Sequence, residues 1–198
     1  MAIVLIAGVA TVWAVGGTRA VLFSADANGA SDEIRRAFPT FGEPPTSPDD
    51  VSRLISLRSQ FADPSIDSKT AEADFSDARV VPIPGEADPA WIAPSGDSVC
   101  TFIPDPTDGY GASCVTLQDI REGHGFSFLG DRNFTYVVVL LPEGEPTPTV
   151  DSPTDPEARF EVSGNAAAAK LPSDAQITTS HSTINLAQGD GPIETAAP

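Results

Sequence analysis

The chain has 198 residues and a formal net charge of −17, which is enough length for one ordinary domain with tails. So strong a negative charge excludes nucleic acid as a partner, because it repels phosphate backbones, and it disfavours docking on anionic lipid headgroups. Nineteen prolines and sixteen glycines indicate many turns and irregular stretches.

The first element is apolar. Residues 2–17 carry no charge, and the stretch extends to Phe23 when the side chain of Arg19 snorkels toward the membrane surface. An apolar stretch at this position predicts a transmembrane or signal helix over residues 1–23. The sequence therefore predicts contact with the membrane through its N-terminal segment.

Two observations disagree on which side of the membrane the bulk of the chain lies. Basic residues follow the apolar stretch and none precedes it, so the positive-inside rule alone places the bulk in the cytosol. Two cysteines argue for the oxidising outside, and large domains are translocated largely regardless of charge. We therefore expect a single-pass cell-membrane protein whose bulk is extracytoplasmic. The alternative is a protein secreted after signal cleavage near Ala25-Asp26-Ala27.

Residues 24–47 are polar and rich in proline, which predicts a juxtamembrane linker, with one short helix opening at Ser31. Residues 48–77 are expected to form a short amphipathic helix and an irregular connection. Ser47 is suited to the N-cap of this helix, Pro48 to its first position, and its apolar stripe continues to Phe61.

Residues 78–188 change to short β-like stretches between turns, and we expect them to form a β-rich extracellular domain. The clearest predicted pairings are residues 98–103 with 112–117 and residues 126–129 with 134–141. Residues 136–141 are the most apolar of these, which predicts the central strand.

The first two strands are expected at 79–83 and 91–93, followed by a turn at 94–97, and weaker closing strands are expected at 159–163, 166–171, 176–179 and 183–186. We expect residues 143–156 to protrude as a loop rich in proline and threonine, and residues 189–198 to form a disordered tail. The predicted fold is mainly β, a small β-sandwich or curled antiparallel sheet, with one short N-terminal amphipathic helix.

Cys100 and Cys114 flank a turn-rich stretch, so a hairpin places them face to face at disulfide distance. The alternatives are two free buried thiols or a pair of metal ligands. A metal site normally needs further cysteine or histidine ligands at short spacing, and none is nearby.

The stretch from Trp91 to Cys100, the second cysteine Cys114 and the turn Leu141-Pro142-Glu143-Gly144 carry a resemblance. They are similar to a group of uncharacterised exported proteins from actinobacteria, in which a membrane segment, a linker and a small helix precede a β-domain with one disulfide. Glu143 stands where the turn of that group has Asp. The resemblance covers roughly residues 38–187 and implies export, the disulfide and the β-architecture, but no activity.

No catalytic constellation is recognisable in the sequence. Nucleophilic catalysis needs a nucleophile, a base and an orienting group. His124, between two glycines, and His181, between two serines, are both typical of exposed turns, and Ser127 between two phenylalanines is typical of a strand. We therefore assign no catalytic, cofactor-binding or metal-binding residues.

Calcium is the ligand with the best sequence support. Residues 24–29 resemble the first half of an EF-hand loop, but Arg35 occupies the position that requires a bidentate Glu. Asp105, Asp108 and Gly109 form a second candidate that is better explained by turn formation.

The sequence thus favours a non-enzymatic, membrane-tethered extracytoplasmic domain with a binding, sensing or envelope-interaction role. Its partner would be an unknown protein or envelope ligand. The alternatives are a Ca²⁺-stabilised structural domain and a hydrolase that uses carboxylates, with His124 as a possible participant.

Overall fold

The computed structural model describes residues 30–43, 61, 70, 72–105, 109–130, 133–186 and 193–196. The predicted membrane or signal helix and the helix expected after Ser47 lie outside these residues. Within the described ranges, no helix is both long enough and apolar enough to cross a bilayer. The domain is mainly β, as the sequence predicts, and its strands form three antiparallel sheets of four.

The first element is α1, Asp32–Ala37, which begins at the predicted place. The Ser31 hydroxyl caps the helix by accepting a hydrogen bond from the N–H of Ile34 at 3.2 Å. Acidic residues occupy its first turn and basic residues its last, which matches the helix dipole. A 3₁₀ turn, Pro39–Gly42, follows directly.

Residues 30–43 do not form a free linker, and the linker prediction is wrong for this stretch. Ile34, Phe38 and Phe41 are at most 1% exposed and belong to the main core. Ile34 lies on α1, Phe38 is its C-cap and Phe41 lies in the 3₁₀ turn, so the change of backbone direction at Phe38 still leaves all three in the same core. Burial of these apolar side chains determines the conformation here, in spite of the polar and proline-rich composition.

The described residues form twelve strands, in chain order β1 Arg79–Val81, β2 Ala90–Ser95, β3 Ser98–Pro104, β4 Tyr110–Thr116, β5 Phe126–Gly130, β6 Phe134–Leu140, β7 Thr149–Asp151, β8 Glu161–Ser163, β9 Ala166–Pro172, β10 Gln176–Thr178, β11 Ser182–Asn185 and β12 Ile193–Ala196. A short helical segment, Leu117–Asp119 and Ile120–His124, connects β4 to β5. Sheet A has the order β1-β2-β3-β4, sheet B β5-β6-β9-β8 and sheet C β12-β11-β10-β7.

The two clearest predicted hairpins are confirmed. β3 pairs with β4 over its whole length, and β5 pairs with β6. β6 has a neighbour on each side, so the most apolar stretch is central in its sheet.

The turn expected at 94–97 is shorter, because Pro94 and Ser95 still belong to β2 and only Gly96 and Asp97 form the turn. β1 begins at Arg79, opposite Ile92, and therefore has no residue opposite Pro94, whose missing N–H removes no hydrogen bond to β1.

Two predictions about irregular segments are wrong. Part of the loop expected at 143–156 forms β7, which pairs with β10 and packs Val150 against a core. Within the expected tail, Ile193–Ala196 forms β12 along β11. In both cases a short strand satisfies backbone groups of sheet C that would otherwise need water.

The three sheets are stacked, with sheet B in the middle. On β6, Val138 and Leu140 face sheet A, whereas Val137 and Val139 face sheet C. The strand beside it, β9, contributes four consecutive alanines, Ala166–Ala169, all fully buried. A third cluster covers the outer face of sheet A, where Phe61 and Phe75 pack on Phe102.

Sheets A and B also meet along both of their sides and form a flattened barrel. On one side, the hydroxyls of Ser113 in β4 and Ser127 in β5 are 2.7 Å apart. On the other side, the Ser163 hydroxyl of β8 donates to the carbonyl oxygen of Val80 in β1 at 3.2 Å. Side-chain contacts join the two sheets here, since no ladder links them among the described strands.

The barrel has two distinct ends. We call the end where the described chain begins the entry end. It contains the β2–β3 turn, in which the Gly96 carbonyl accepts from the Ser31 N–H at 3.1 Å and the Asp97 carbonyl from the Leu117 N–H at 2.9 Å. β3 and β9 run to the opposite end. This far end carries Phe134 and Lys170.

Candidate functional site

A polar cluster that bridges separate segments lies at the entry end. Its first part is the turn Pro142–Glu145, in which Gly144 has a φ of 91° and the Glu145 N–H donates to the Pro142 carbonyl at 3.0 Å. This is the turn quoted for the family resemblance. Only a residue without a Cβ adopts such a φ readily, so Gly144 permits the chain reversal that presents Glu145.

The second part is the β10–β11 hairpin, whose turn contains Ser180 and His181, as the sequence predicts. The Ser180 hydroxyl donates to Glu145 Oε2 at 2.6 Å, and His181 Nε2 lies 3.3 Å from Glu145 Oε1. The hydrogen bond from Ser180 is the main cause that lowers the pKa of Glu145, and His181 adds to it. We call Glu145, Ser180 and His181 the latch cluster.

The third part is the segment between β4 and β5, where Gly123 has a φ of 95°. A Cβ at Gly123 would lie 2.4 Å from the Cβ of His181. The glycine therefore allows the histidine to lie directly against this backbone. The latch cluster thus joins three segments that are far apart in sequence.

The arrangement of the latch cluster is not that of a nucleophilic triad. In a triad, the imidazole lies between the nucleophile and the acid. Here the carboxylate lies between the hydroxyl of Ser180 and the imidazole of His181, so the hydroxyl donates to the acid directly. An open cleft that Glu145 lines together with Arg36, Arg121 and Glu143 has a volume of about 340 Å³. The cleft whose lining includes Phe126, Leu141 and Pro146 has a volume of about 30 Å³. That is room for a water molecule or two, whereas pockets for small molecules usually have about 300 Å³ or more.

The other sequence candidates lie in separate places. His124 is exposed on the segment between β4 and β5. Ser127 is buried and accepts a hydrogen bond from Thr101 at 2.6 Å, so it belongs to the contact between sheets A and B. The Asp105 N–H donates to the Gly109 carbonyl at 3.0 Å in the β3–β4 turn.

Asp108 and the EF-hand-like residues 24–29 are outside the described part of the chain. Among the residues that are described, no group of three or more His, Cys, Asp and Glu side chains is placed to hold a metal ion.

Cys100 and Cys114 form a disulfide with an S–S distance of 2.07 Å, as the sequence predicts. They are directly opposite each other on β3 and β4. Cys100 is fully buried on the outer face of sheet A, beside Trp91 and Phe102. The Thr70 hydroxyl lies 3.4 Å from Cys114 Sγ.

The far end carries a second surface feature. Phe134 is 46% exposed, and Lys170 Nζ lies 4.6 Å from the centre of its ring. The same ammonium forms a 2.7 Å ion pair with Glu86, and this hydrogen bond is the main cause that raises the pKa of Lys170. We call Phe134, Lys170 and Glu86 the far-end patch.

No family model, curated protein or solved structure matches this chain.

Sequence reasoning found the Ser180-His181 turn but not its partner Glu145. That residue lies among prolines in a segment expected to protrude, and no periodic pattern connects it to a hairpin 35 residues later. The far-end patch was missed for a similar reason, since 84 residues separate Lys170 from Glu86.

Proposed function

We propose that the protein is a non-enzymatic, membrane-tethered extracytoplasmic domain with a binding, sensing or envelope-interaction role. The observation that carries the proposal is the disulfide between Cys100 and Cys114 inside the β3–β4 hairpin. Disulfides form and persist in oxidising compartments and are rare in reducing cytosol. The uncharged stretch at residues 2–17 would supply the tether.

The latch cluster supports a role without catalysis. Its carboxylate is engaged by two side chains, and its lowered pKa makes it a weak base toward the Ser180 hydroxyl that donates to it. The contacts of Ser180 and His181 with Glu145 hold the Pro142–Glu145 turn against sheet C.

The far-end patch supports a binding role. The exposed ring of Phe134 provides apolar contact area beside the charge of Lys170, and aromatic residues are enriched at protein interfaces. It lies at the end of the barrel opposite the entry of the chain. A tethered protein would present that end to its surroundings.

The location is tested with the full chain expressed in a bacterium. Intact cells are treated with a membrane-impermeant protease, and the membrane fraction is alkylated with and without prior reduction. We expect the chain to be in the membrane fraction, to be digested in intact cells, and to be alkylated at Cys100 and Cys114 only after reduction. Recovery from the cytosol with both thiols alkylated directly would refute the proposal.

The absence of catalysis is tested with the purified full chain in detergent against ester, peptide and glycoside substrates. Glu145→Gln removes the central carboxylate, and Glu143→Gln in the same turn is the matched control. We expect no turnover above background for any of the three proteins. Turnover that is lost in Glu145→Gln and kept in Glu143→Gln would make the latch cluster an active site.

A further inference from the structure

The open cleft beside the latch cluster lies between three segments of the chain. Its lining comes from the end of α1, the segment between β4 and β5, and the turn after β6, and consists of Arg36, Ala37, Arg121, Pro142, Glu143 and Glu145. We call it the arginine cleft. Its volume of about 340 Å³ lies at the lower end of the range of roughly 300–1,000 Å³ that is usual for pockets that bind small molecules.

Contacts hold the walls of the arginine cleft in place without a ligand. The Glu143 N–H donates to the Ala37 carbonyl at 2.8 Å, which fixes the turn against the end of α1. The latch cluster holds the same turn against sheet C. Gly123 packs against His181, which fixes the segment between β4 and β5. The cleft is therefore pre-formed, and a ligand need not order these segments when it binds.

The two arginines of the cleft are available to a ligand. Both are exposed, and Arg121 has no hydrogen-bond or ion-pair partner among the residues that the structure describes. Arg36 donates through Nε to the Asp32 carbonyl at 3.1 Å, so its two terminal nitrogens stay available within the same part of the chain. A guanidinium matches a carboxylate with two parallel hydrogen bonds, so the pair provides a site for a carboxylate.

The cleft also holds a carboxylate that is fixed in position. The hydrogen bond from Ser180 lowers the pKa of Glu145, which keeps this side chain ionised at neutral pH and oriented. Each of its two oxygens takes part in one contact with the latch cluster and has a second lone pair left for another donor. Glu145 is therefore suited to accept from an ammonium group.

The balance of charge favours a ligand that carries both signs. Two guanidiniums and two carboxylates line the cleft, in a chain whose net charge is −17. A purely anionic ligand is repelled by the chain as a whole, and a purely cationic ligand would lie beside two arginines. A zwitterion has no net charge to be repelled and can pair with groups of both signs.

We propose that the arginine cleft binds a small zwitterion of the amino-acid class, with its carboxylate on Arg36 and Arg121 and its ammonium on Glu145. Ala37 and Pro142 add apolar lining, which suits an aliphatic side chain. The proposal rests on the binding role proposed above and gives it a ligand class, but it does not depend on the membrane tether.

The ligand class is tested by titration calorimetry on the purified full chain in detergent at neutral pH. Leucine carries both charges, whereas N-acetylleucine lacks the positive charge and leucinamide lacks the negative charge. We expect leucine to bind saturably and each of the other two compounds to bind about tenfold more weakly or worse, because one charged pair is lost.

The site is tested with matched variants. Arg121→Gln removes one guanidinium of the cleft, and Arg159→Gln makes the same change of charge at an exposed arginine outside it. We expect the affinity for leucine to fall about tenfold in the first variant and to stay unchanged in the second. Glu145→Gln should narrow the preference for leucine over N-acetylleucine, whereas a merely structural loss would weaken the binding of both compounds equally.

No saturable binding of leucine, equal affinity for the three compounds, equal losses in Arg121→Gln and Arg159→Gln, or a preference that survives Glu145→Gln would overturn the inference. None of these results bears on the membrane location, which the protease and alkylation experiments test separately. Chemical conversion of bound leucine would instead overturn the non-enzymatic role and leave the cleft as a binding site.

Discussion

Substitution of Gly123 by alanine tests the packing of the latch cluster. Two costs add at this position. An L-residue at a φ of 95° is strained by about 1–2 kcal/mol, and the new Cβ would lie 2.4 Å from the His181 Cβ and 2.8 Å from its Cγ. Neither carbon is the end of a flexible side chain, so backbone must move, and overpacking of this kind costs about 1–3 kcal/mol more.

Gly144→Ala is the matched control, because Gly144 has nearly the same φ of 91° but nothing within 4 Å of its Cβ position. We expect Gly123→Ala to lower the free energy of unfolding by about 2–5 kcal/mol and Gly144→Ala by about 1–2 kcal/mol. The measurement is denaturant unfolding with a common slope.

The difference between the two variants reports the contact with His181 rather than the strain. His181→Gly removes the Cβ that collides, so the double variant Gly123→Ala/His181→Gly should cost less than the sum of the single variants. Equal losses for Gly123→Ala and Gly144→Ala, or an additive double variant, would show that the imidazole does not pack on this backbone.

Three further outcomes are expected. Cys100→Ser, or reduction of the disulfide, should lower the free energy of unfolding by about 3 kcal/mol and the melting temperature by roughly 6–12 °C, because the bridge spans 14 residues. A melting temperature that does not change in strong reductant would contradict this. Glu145→Gln should cost about 1 kcal/mol at neutral pH. The pKa of Glu145 is lower in the folded state, so its ionised carboxylate stabilises the fold above the ordinary pKa of 4.5, and this stabilisation is lost as the pH falls through the folded pKa. The difference in free energy of unfolding between Glu145→Gln and the parent should therefore narrow below pH 4.5, and a constant difference would contradict the prediction. Thr101→Val should cost about 1 kcal/mol through its hydrogen bond to Ser127, and an unchanged denaturation midpoint would argue against that bond.

The parts of the fold that depend on neighbouring residues were predictable. The β3–β4 hairpin, its disulfide and the central position of β6 all follow from local alternation, turn residues and apolar character. The cap of α1 at Ser31 is also a local signal, because its hydroxyl bonds a residue three positions later.

The parts that depend on distant residues were not predictable. The expected linker contains the buried Phe38 and Phe41, and only the barrel end that receives them reveals their role. The threonine- and proline-rich stretch that contains β7 becomes a strand because β10 supplies its partners. The candidate site could not be predicted for the same reason, because Glu145 is bonded by the distant Ser180 and Gly123 packs against the distant His181.

The four consecutive alanines of β9 divide the interior into two compartments that can change independently. Ala166 and Ala168 point into the barrel, while Ala167 and Ala169 point toward sheet C. A larger side chain at an even-numbered position would press only on the barrel, and one at an odd-numbered position only on sheet C. A substitution at Ala167 or Ala169 would therefore remodel the attachment of sheet C without disturbing the barrel, which holds residues 30–43 in place.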